Sequence, residues 1–291
     1  MSAAIGASVV IACYRGLPDL DVQLQALAAQ DFTEPFEVLL SDNEGSADLE
    51  WFALNHPLRG RLDLRWVDAS GTAGTSHARN VGTRAARYPL IAYCDQDDAV
   101  HPTWLRAIVQ ALGSADIVGG PLERETLNDP VVAAWRALPD PAEPVVLGRF
   151  LPMTFGCNLG VRRSVFDAVG GWDESYPTAG SDVEFCWRVQ TRGYEFGYAR
   201  DALVAYRYRT GIRESWDQVI DYGREEARVA RDYGAPGRQW WWPLLHAGVV
   251  VGMCPVWPWA WSRSRRGEWV WITGNLVGRI AGSVKYRTLY L

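Results

Sequence analysis

Short apolar runs alternate with longer amphipathic stretches along the first 120 residues. Strands rich in apolar and β-branched residues are predicted over 8–13, 36–42, 62–69, 89–95 and 115–120. Helices are predicted between them over 18–30, 76–87 and 103–112. This alternation predicts an α/β fold with a mostly parallel sheet that is covered by helices on both faces.

Polar side chains follow three of the predicted strands at their carboxyl ends. Tyr14 and Arg15 follow the first strand, Asp42 ends the second, and residues 95–98 follow the fourth. Ligands of open α/β sheets bind at the carboxyl ends of the strands. We therefore expect one binding crevice along this edge of the sheet.

The stretch Asp95-Gln96-Asp97-Asp98 places three carboxylates within four residues. Carboxylate oxygens are the ligands that Mg²⁺ and Mn²⁺ prefer, and such an ion would offset the repulsion among the acids and neutralise a diphosphate. The alternative is that the acids cap the following helix, for which one acid is enough. The pattern favours a site for a metal ion and a nucleotide over a helix cap.

The composition indicates a globular protein, because 48% of the 291 residues are apolar and 22% are charged. The net charge of −5 gives no reason to expect a nucleic-acid partner. The charge is unevenly spread, with a net of −11 over residues 1–237 and +6 over residues 238–291. The five cysteines are scattered, so we expect neither a zinc site nor a disulfide framework, and a cytoplasmic location is the expectation.

Several nucleotide-binding patterns are missing from the sequence. The first strand is not followed by G-x-G-x-x-G, and the chain has no G-x-x-x-x-G-K-[ST]. A glycine-rich basic loop, which a sugar-phosphate nucleotidyltransferase would need, is not present near the first strand either. These absences disfavour a dinucleotide fold, a P-loop enzyme and a nucleotidyltransferase.

Five stretches between residues 8 and 209 resemble, in order and spacing, the inverting family-2 glycosyltransferases of the GT-A fold. They are VVIACYRG, VLLSDNEGS, GTAGTSHARNVGTRAARYPLIAYCDQDDAVHPTWL, GCNLGVRRSVFDAVGGWDE and GSDVEFCWRVQTRGYEFGYARDALVAYRYR. The resemblance implies a transferase that moves a sugar from a nucleoside-diphosphate sugar with inversion at the anomeric carbon.

The resemblance also implies the residues that hold the donor. It places the donor-binding residues at Ala12, Tyr14, Asp42, Arg79, Asn80, Asp95 and Gln96. Asp97 is implied to bind the Mg²⁺ or Mn²⁺ ion that bridges the two phosphates. Two alternatives stay open: Asp42 is only a turn residue, and Arg79 lies only on a solvated helix face.

For the acceptor, the resemblance implies a carboxylate that takes the proton of the attacking hydroxyl. Relatives usually have Glu-Asp at the start of a helix, whereas this chain has Ser181-Asp182, so Asp182 takes the role of the base. The alternatives are that Asp182 only stabilises the helix N-terminus, or that Glu184 is the base.

Further acceptor or diphosphate candidates flank the base. Trp172 and Asp173 lie in a loop that relatives place between donor and acceptor, although Trp172 could equally belong to the core. Tyr206 replaces a histidine that many relatives use to bind the metal or the diphosphate. Arg207 and Arg209 could hold the diphosphate instead, by bidentate contacts.

The composition of the chain changes after residue 237. An amphipathic helix is predicted over 214–233, and residues 240–261 then contain no charged residue, three prolines and six of the 15 tryptophans. Tryptophan-rich segments that are broken by proline and flanked by arginine are typical of the membrane interface. The alternatives are a helical cap on the enzyme core and a dimer contact.

These features predict three parts: a nucleotide-sugar-binding half (1–120), an acceptor-binding and catalytic half (121–237) and a helical, Trp-rich tail (238–291). The expected donor is a UDP or dTDP sugar. The expected acceptor is a saccharide or lipid-linked saccharide of envelope or polysaccharide biosynthesis, used at the inner face of the plasma membrane. The alternatives are a non-catalytic nucleotide- or saccharide-binding protein of the same fold and a nucleotidyltransferase. The possibility of a homo-oligomer stays open.

Overall fold

The computed structural model describes residues 6–17, 19–177, 179–236, 248 and 262–290. The strands are β1 (Ala7–Cys13), β2 (Phe36–Asp42), β3 (Asp63–Asp68), β4 (Leu90–Asp95), β5 (Ala99–Val100), β6 (Ile117–Gly119), β7 (Leu122–Glu123), β8 (Val145–Val146), β9 (Pro152–Met153), β10 (Leu159–Arg162), β11 (Phe196–Tyr198) and β12 (Val204–Ala205). The α-helices are α1 (Leu20–Ala28), α2 (Ala47–Asn55), α3 (Thr75–Ala85), α4 (Trp104–Ala111), α5 (Pro130–Ala133), α6 (Arg163–Val169), α7 (Ser181–Thr191), α8 (Ile212–Tyr233) and α9 (Arg263–Tyr286). Two 3₁₀ turns cover Pro57–Gly60 and Leu147–Arg149.

Seven strands form the central sheet in the order β11-β6-β10-β4-β1-β2-β3. Strand β1 runs parallel to both β2 and β4, so that Ala12 lies opposite Asp95 on one side and Ser41 on the other. In the same register, Cys13 lies opposite Asp42. The carboxyl ends of β1, β2 and β4 are therefore neighbours, as the sequence predicts for a mostly parallel α/β sheet.

Strand β10 is antiparallel to both of its neighbours, β4 and β6. Leu159, its first residue, lies opposite Tyr93 near the carboxyl end of β4. Consequently the residues that precede β10 approach the acidic turn that follows β4. A purely local apolar pattern does not contain this pairing direction, and the sequence did not predict it.

The described residues form two compact units. The first contains the residues up to Glu123 together with Pro139–Val145 and Pro152–Tyr206, and includes the central sheet. The second contains Arg124–Leu138, Val146–Leu151 and the residues from Arg207 onward. The predicted division at residues 120 and 237 separates parts by function, into donor binding, acceptor binding and tail. It stays a prediction.

Helices α8 and α9 pack closely within the second unit. A Cβ atom on Gly278 would lie 2.3 Å from the carbonyl oxygen of Ile220, and one on Gly274 would lie 2.3 Å from Val219 Cγ1. Arg279, only 5% exposed, forms an ion pair with Glu226 at 2.7 Å. The predicted helical extension is thus present as α9, whereas the Trp-rich stretch 240–261 lies outside the described residues apart from Gly248.

Within the described ranges, none of the helices combines the length and the apolar character that crossing a membrane would require.

Candidate functional site

Two carboxylates and a thiol meet just after β4. Ligand atoms of Asp95, Asp98 and Cys157 lie within 4.8 Å of one another. Burial, followed by the negative charges of Asp98 and Asp95, raises the pKa of the Cys157 thiol well above its usual value, so the thiol keeps its proton. The two carboxylates supply the oxygen ligands that Mg²⁺ and Mn²⁺ prefer. This donor set fits a hard divalent cation.

Arg79 of α3 contacts both the acidic turn and the aromatic core. Its Nη2 donates to Asp95 Oδ1 at 3.0 Å, and its guanidinium lies over the Trp172 ring at 4.7 Å. Only 5% of Arg79 is exposed, so the alternative of a solvated helix face is wrong. A buried arginine held in this way fixes the orientation of the Asp95 carboxylate.

The loop after β1 is tied to the acidic turn by a side-chain amide. Gln96 Oε1 accepts from the backbone N–H of Tyr14 at 2.9 Å, and Gln96 Nε2 donates to the Tyr14 carbonyl at 2.8 Å. The Tyr14 ring itself is 53% exposed. Gln96 therefore fixes the backbone of the loop that carries the exposed Tyr14 ring, at the strand end where the sequence predicts the nucleotide base.

Asp42 organises the loop that follows β2. Its carboxylate accepts from the N–H groups of Glu44, Gly45 and Ser46 and from Trp66 Nε1, at 2.8–3.1 Å. These four hydrogen bonds use the acceptor sites that a carboxylate offers. The turn role of Asp42 is therefore visible, and its contact with a nucleotide stays a prediction.

Asp182 lies in the first turn of α7, after Gly180, whose φ of 76° suits glycine. Its Oδ1 accepts from the Val183 N–H at 2.9 Å and its Oδ2 from the Gly156 N–H at 3.3 Å. Burial raises the pKa of Asp182, while these hydrogen bonds and the positive charge of Arg79 oppose part of the rise. The carboxylate that the sequence predicts as the base thus has an environment that strengthens its basicity.

Comparison with known proteins identifies the family. The family model "Glycosyl transferase family 2" matches residues 8–170, and "Glycosyl transferase family group 2" matches residues 90–282. The chain belongs to glycosyltransferase family 2. The predicted family is therefore confirmed.

Curated relatives of this family-2 chain are of modest identity. The pre-mycofactocin glycosyltransferase of Mycobacterium tuberculosis is 27% identical over 206 residues, which cover 65% of this chain and 44% of the relative. Glycosyltransferase AglE of Haloferax volcanii is 26% identical over 207 residues, covering 69% of this chain and 67% of the relative. The chain thus spans less than half the length of the mycobacterial relative.

Solved structures of glycosyltransferases share the fold. The mannosyltransferase PcManGT from Pyrobaculum calidifontis, in complex with GDP-Man and Mn²⁺, superposes with a TM-score of 0.60 at 15% identity, covering 94% of this chain and 86% of that one. S. aureus TarS 1–349 in complex with UDP-GlcNAc superposes with a TM-score of 0.57 at 14% identity, covering 99% and 93%. The predicted GT-A fold with a C-terminal helical extension is confirmed.

Asn80 and Trp172, two of the predicted site residues, connect α3 to the loop before α7. Asn80 Nδ2 donates to the Trp172 carbonyl at 2.9 Å and to Glu174 Oε1 at 2.8 Å, and Asn80 Oδ1 accepts from the Trp172 N–H at 2.8 Å. Trp172 is 2% exposed and stacks on Phe185 with 4.4 Å between the ring centroids. Of the two predicted roles of Trp172, the structure shows the one in the core. Asp173 accepts from the Ser175 N–H in the adjoining turn.

Glu184, the alternative base, lies in a different environment from Asp182. It is 4% exposed and forms a bidentate ion pair with Arg188 at 2.7 and 3.0 Å. Arg188 also donates to the carbonyls of Val169 and Gly171. These contacts give Glu184 a structural role in the first turn of α7. Asp182 is therefore the better candidate for the catalytic base.

The remaining predicted residues are distributed over both units. Asp97 is half-buried in the turn with Asp95 and Asp98, and its contact with the metal stays a prediction. Arg207 and Arg209 belong to the second unit, where Arg209 lines a cavity. Their contact with a diphosphate stays a prediction too.

Sequence reasoning missed Cys157 and Gly156 of the turn before β10. The sequence feature that could have indicated them is the stretch GCN directly before a strand. Its proximity to the acidic turn depends on the antiparallel pairing of β10 with β4. A Cβ atom on Gly156 would lie 2.5 Å from Arg79 Nη1, so this glycine leaves room for the buried guanidinium.

Proposed function

We propose that this chain transfers a sugar from a nucleoside-diphosphate sugar to a hydroxyl of a saccharide or lipid-linked saccharide, with inversion of the anomeric carbon. The observation that supports this most is a continuous set of contacts in the first unit. It runs from the acidic turn through Arg79 to the turn at Gly156 and to Asp182. Family-2 membership and the nucleotide sugars bound by the two structural neighbours support the same reaction class.

In this proposal Asp182 takes the proton of the attacking hydroxyl. The hydroxyl oxygen forms a bond to the anomeric carbon while the bond from that carbon to the diphosphate oxygen breaks. The proton passes to the Asp182 carboxylate, and the diphosphate leaves with the electron pair of the broken bond. Attack opposite the leaving group inverts the configuration. A positioned base of raised pKa typically contributes about 10²–10⁴-fold to such a rate.

Asp95 and Asp98, with Asp97 beside them, would hold Mg²⁺ or Mn²⁺ together with the donor phosphates. Such an ion, when bound, supplies Lewis-acid stabilisation of the leaving diphosphate. The residues of the chain hold this site in place: Arg79 orients Asp95, and Gln96 fixes the loop that carries Tyr14. A UDP or dTDP donor would place its base beside Tyr14.

A cavity in the first unit suits the acceptor. Phe155, Thr154 and Tyr198 line it together with the carboxylates of Asp140 and Glu143. Phe155 immediately precedes Gly156, whose N–H binds Asp182. Aromatic rings and carboxylates are suited to the apolar faces and the hydroxyl groups of a sugar. The acceptor hydroxyl would therefore approach the base from this cavity.

The tail supports peripheral contact with an anionic membrane at the inner face of the plasma membrane. On α9, Val277, Ile280 and Val284 are 39%, 47% and 76% exposed at positions that share one helical face. Lys285 and Arg287 lie beside this face and are exposed as well. Apolar side chains next to cations are typical of helices that lie in a membrane interface.

Calorimetry with UDP, dTDP and GDP, each with Mn²⁺ or with EDTA, tests donor binding. We expect UDP or dTDP to bind in the presence of Mn²⁺ and not in the presence of EDTA. Asp98→Asn should weaken this binding at least about tenfold, because interactions of a charged group typically contribute about 1.5 kcal/mol or more. Asp217→Asn, an exposed change on α8, serves as the control. Equal affinity in EDTA would refute the metal assignment, and failure of all three nucleotides to bind would refute the proposed function.

A further inference from the structure

The second unit contains a cavity that no part of the proposed reaction uses. Side chains from four separate segments line it, among them Trp135, Arg136, Tyr208, Arg209, Gln218 and Trp271. The segments are the chain after α5, the chain after β12, the first turns of α8 and the first half of α9. Because these segments are far apart in sequence, the cavity is a product of the tertiary fold.

The side chains that line this cavity carry positive charge. Its two charged lining residues in the described part of the chain are arginines, Arg136 and Arg209. Arg263 lies over the Trp135 ring at 5.9 Å. Arg124 adds a further cation next to Tyr208, and its acidic neighbour Glu125 has a side chain that is 73% exposed. The described lining of the cavity therefore contains arginines and no carboxylate.

Aromatic rings hold one of the two arginines in place. The Arg136 guanidinium lies over the Trp271 ring at 4.2 Å and over the Tyr208 ring at 5.9 Å. The Tyr208 hydroxyl donates to the Arg136 carbonyl at 3.2 Å, which fixes the backbone at the same point. A guanidinium stacked on its face directs its N–H donors along its plane, which is the geometry that two phosphate oxygens match.

Neutral polar groups complete the lining. Ser215 and Gln218 come from one face of α8, and the Ser215 hydroxyl donates to the Arg209 carbonyl at 3.2 Å. Hydroxyl and amide groups beside arginines are suited to further phosphate oxygens, and the tryptophans give an apolar wall for the group that the phosphate carries.

We propose that this cavity binds a phosphate group, either of a lipid headgroup or of a free phosphate ester. The described residues that line this cavity all belong to the second unit, whereas the acidic turn belongs to the first. The proposal assigns Arg209 to this cavity instead of to the donor diphosphate, and it does not depend on glycosyl transfer. If the acceptor is a lipid-linked saccharide, this cavity would bind the phosphate next to the lipid and so give the substrate a second binding site.

A ³¹P NMR titration of the full-length protein tests this, with EDTA present to suppress metal-dependent nucleotide binding. The two probes are inorganic phosphate and dihexanoyl-phosphatidylglycerol below its micelle concentration. Arg209→Gln is the test variant, because Arg209 is exposed and its loss should leave the fold intact. Arg209→Lys keeps the positive charge but lacks the planar guanidinium that can bind two phosphate oxygens at once. Arg231→Gln, which removes an exposed arginine at the other end of α8, is the matched control.

Wild type and Arg231→Gln should bind, Arg209→Gln should bind at least about tenfold more weakly, and Arg209→Lys should lie between them. Binding of the lipid probe alone identifies a lipid headgroup as the source, and binding of inorganic phosphate, with or without the lipid probe, identifies the phosphate group itself. The proposal is overturned if neither probe binds wild type, or if Arg209→Gln binds as wild type does. A separate titration replaces EDTA with Mg²⁺, which is diamagnetic. Displacement of phosphate by UDP in that titration, or loss of UDP binding in Arg209→Gln, would also overturn the proposal, because either result assigns Arg209 to the donor site.

Discussion

Asp182 is the residue on which the proposed chemistry depends most. Its carboxylate is held by two backbone N–H groups from different segments, so its position is fixed before a substrate arrives. Burial nevertheless raises its pKa, which means that the ionised form is less stable here than in water. An aspartate in this state accepts a proton more readily than an exposed one.

Replacing Asp182 with Asn should separate catalysis from stability. Transfer should fall at least about 100-fold while nucleotide affinity stays unchanged, because an amide keeps the shape but cannot take the proton. The folded-state pKa lies above the unfolded value of about 3.9, so the ionised carboxylate lowers stability as pH rises through that window. At neutral pH the variant should therefore melt at the same or a higher temperature than wild type, and the difference should shrink below about pH 4.

Turnover assays, calorimetry and thermal melts of the same samples measure these three quantities. Asp201→Asn, an exposed change in the same unit, is the control and should change none of them. Near-normal turnover of Asp182→Asn would show that another group accepts the proton.

Gly156 makes a second prediction possible at this scale. The Cβ atom of Ala would lie 2.5–2.8 Å from the guanidinium of Arg79, which is buried, ion-paired and stacked and so has little room to move. Gly156→Ala should displace Arg79 from Asp95, lower the unfolding free energy by about 1–3 kcal/mol and weaken metal-dependent nucleotide binding. Gly60→Ala, where nothing lies within 4 Å of the added atom, is the matched control.

Chemical denaturation and calorimetry compare the two glycine variants. A Gly156→Ala protein that behaves as Gly60→Ala does would mean that Arg79 does not depend on this space.

The sequence predicted some of these residues and not others for a physical reason. Asp95 and Asp42 follow apolar strands, and parallel strands bring their carboxyl ends together, so local patterns were enough to place them at one edge. Cys157 reaches Asp95 through the antiparallel pairing of β10, which depends on long-range contacts. Whether Trp172 stacks on a sugar or in the core also depended on partners, such as Phe185, that the sequence does not place nearby.

At the scale of elements, the strands β2 and β4 lie within one residue of their predicted bounds, because a continuous apolar run is a strong local signal. Helix α2 was missed, since its polar first turn follows closely on the loop that Asp42 organises. Helix α9 was predicted only as part of a helical tail, and its close packing on α8 could not be inferred from composition.

The packing of α9 on α8 predicts the effect of one added carbon atom. Alanine is favoured over glycine in a helix by about 1 kcal/mol, but a Cβ on Gly278 would lie 2.3 Å from the Ile220 carbonyl oxygen, a backbone atom that cannot rotate away. Overpacking of this kind costs about 1–3 kcal/mol, so Gly278→Ala should lower the unfolding free energy on balance.

Urea denaturation followed by circular dichroism measures this loss. Ala281→Val adds bulk to an exposed position of the same helix and should leave stability nearly unchanged. If Gly278→Ala were as stable as wild type, the two helices would have to lie further apart than described.

At the scale of the whole molecule, the acidic chain has a basic tail, with a net charge of +6 over residues 238–291. Full-length protein should therefore sediment with phosphatidylglycerol vesicles and not with phosphatidylcholine vesicles. High salt should release part of it, because screening shortens the reach of the arginines but leaves apolar contacts unaffected. Replacing Val277, Ile280 and Val284 with Ser should reduce the fraction that salt does not release, since these exposed apolar side chains share one face of α9.

Point variants are needed for this test, because deleting α9 would expose Val219 and other residues of α8 that are buried beneath it. Leu54→Ser, which removes an exposed leucine of the first unit, is the control. A full-length protein that stays in solution with both kinds of vesicle would contradict the proposed membrane contact.

The most direct test of the central claim is the anomeric configuration of the product. The protein is incubated with UDP, dTDP and GDP sugars, Mn²⁺ and a series of saccharide acceptors, and the new linkage is identified by ¹H NMR. We predict a product whose configuration is opposite to that of the donor, formed by wild type and not by Asp182→Asn. A product with the donor's configuration would contradict the proposed role of Asp182. Tight nucleotide binding without transfer or donor hydrolysis would instead indicate a binding protein that shares the fold.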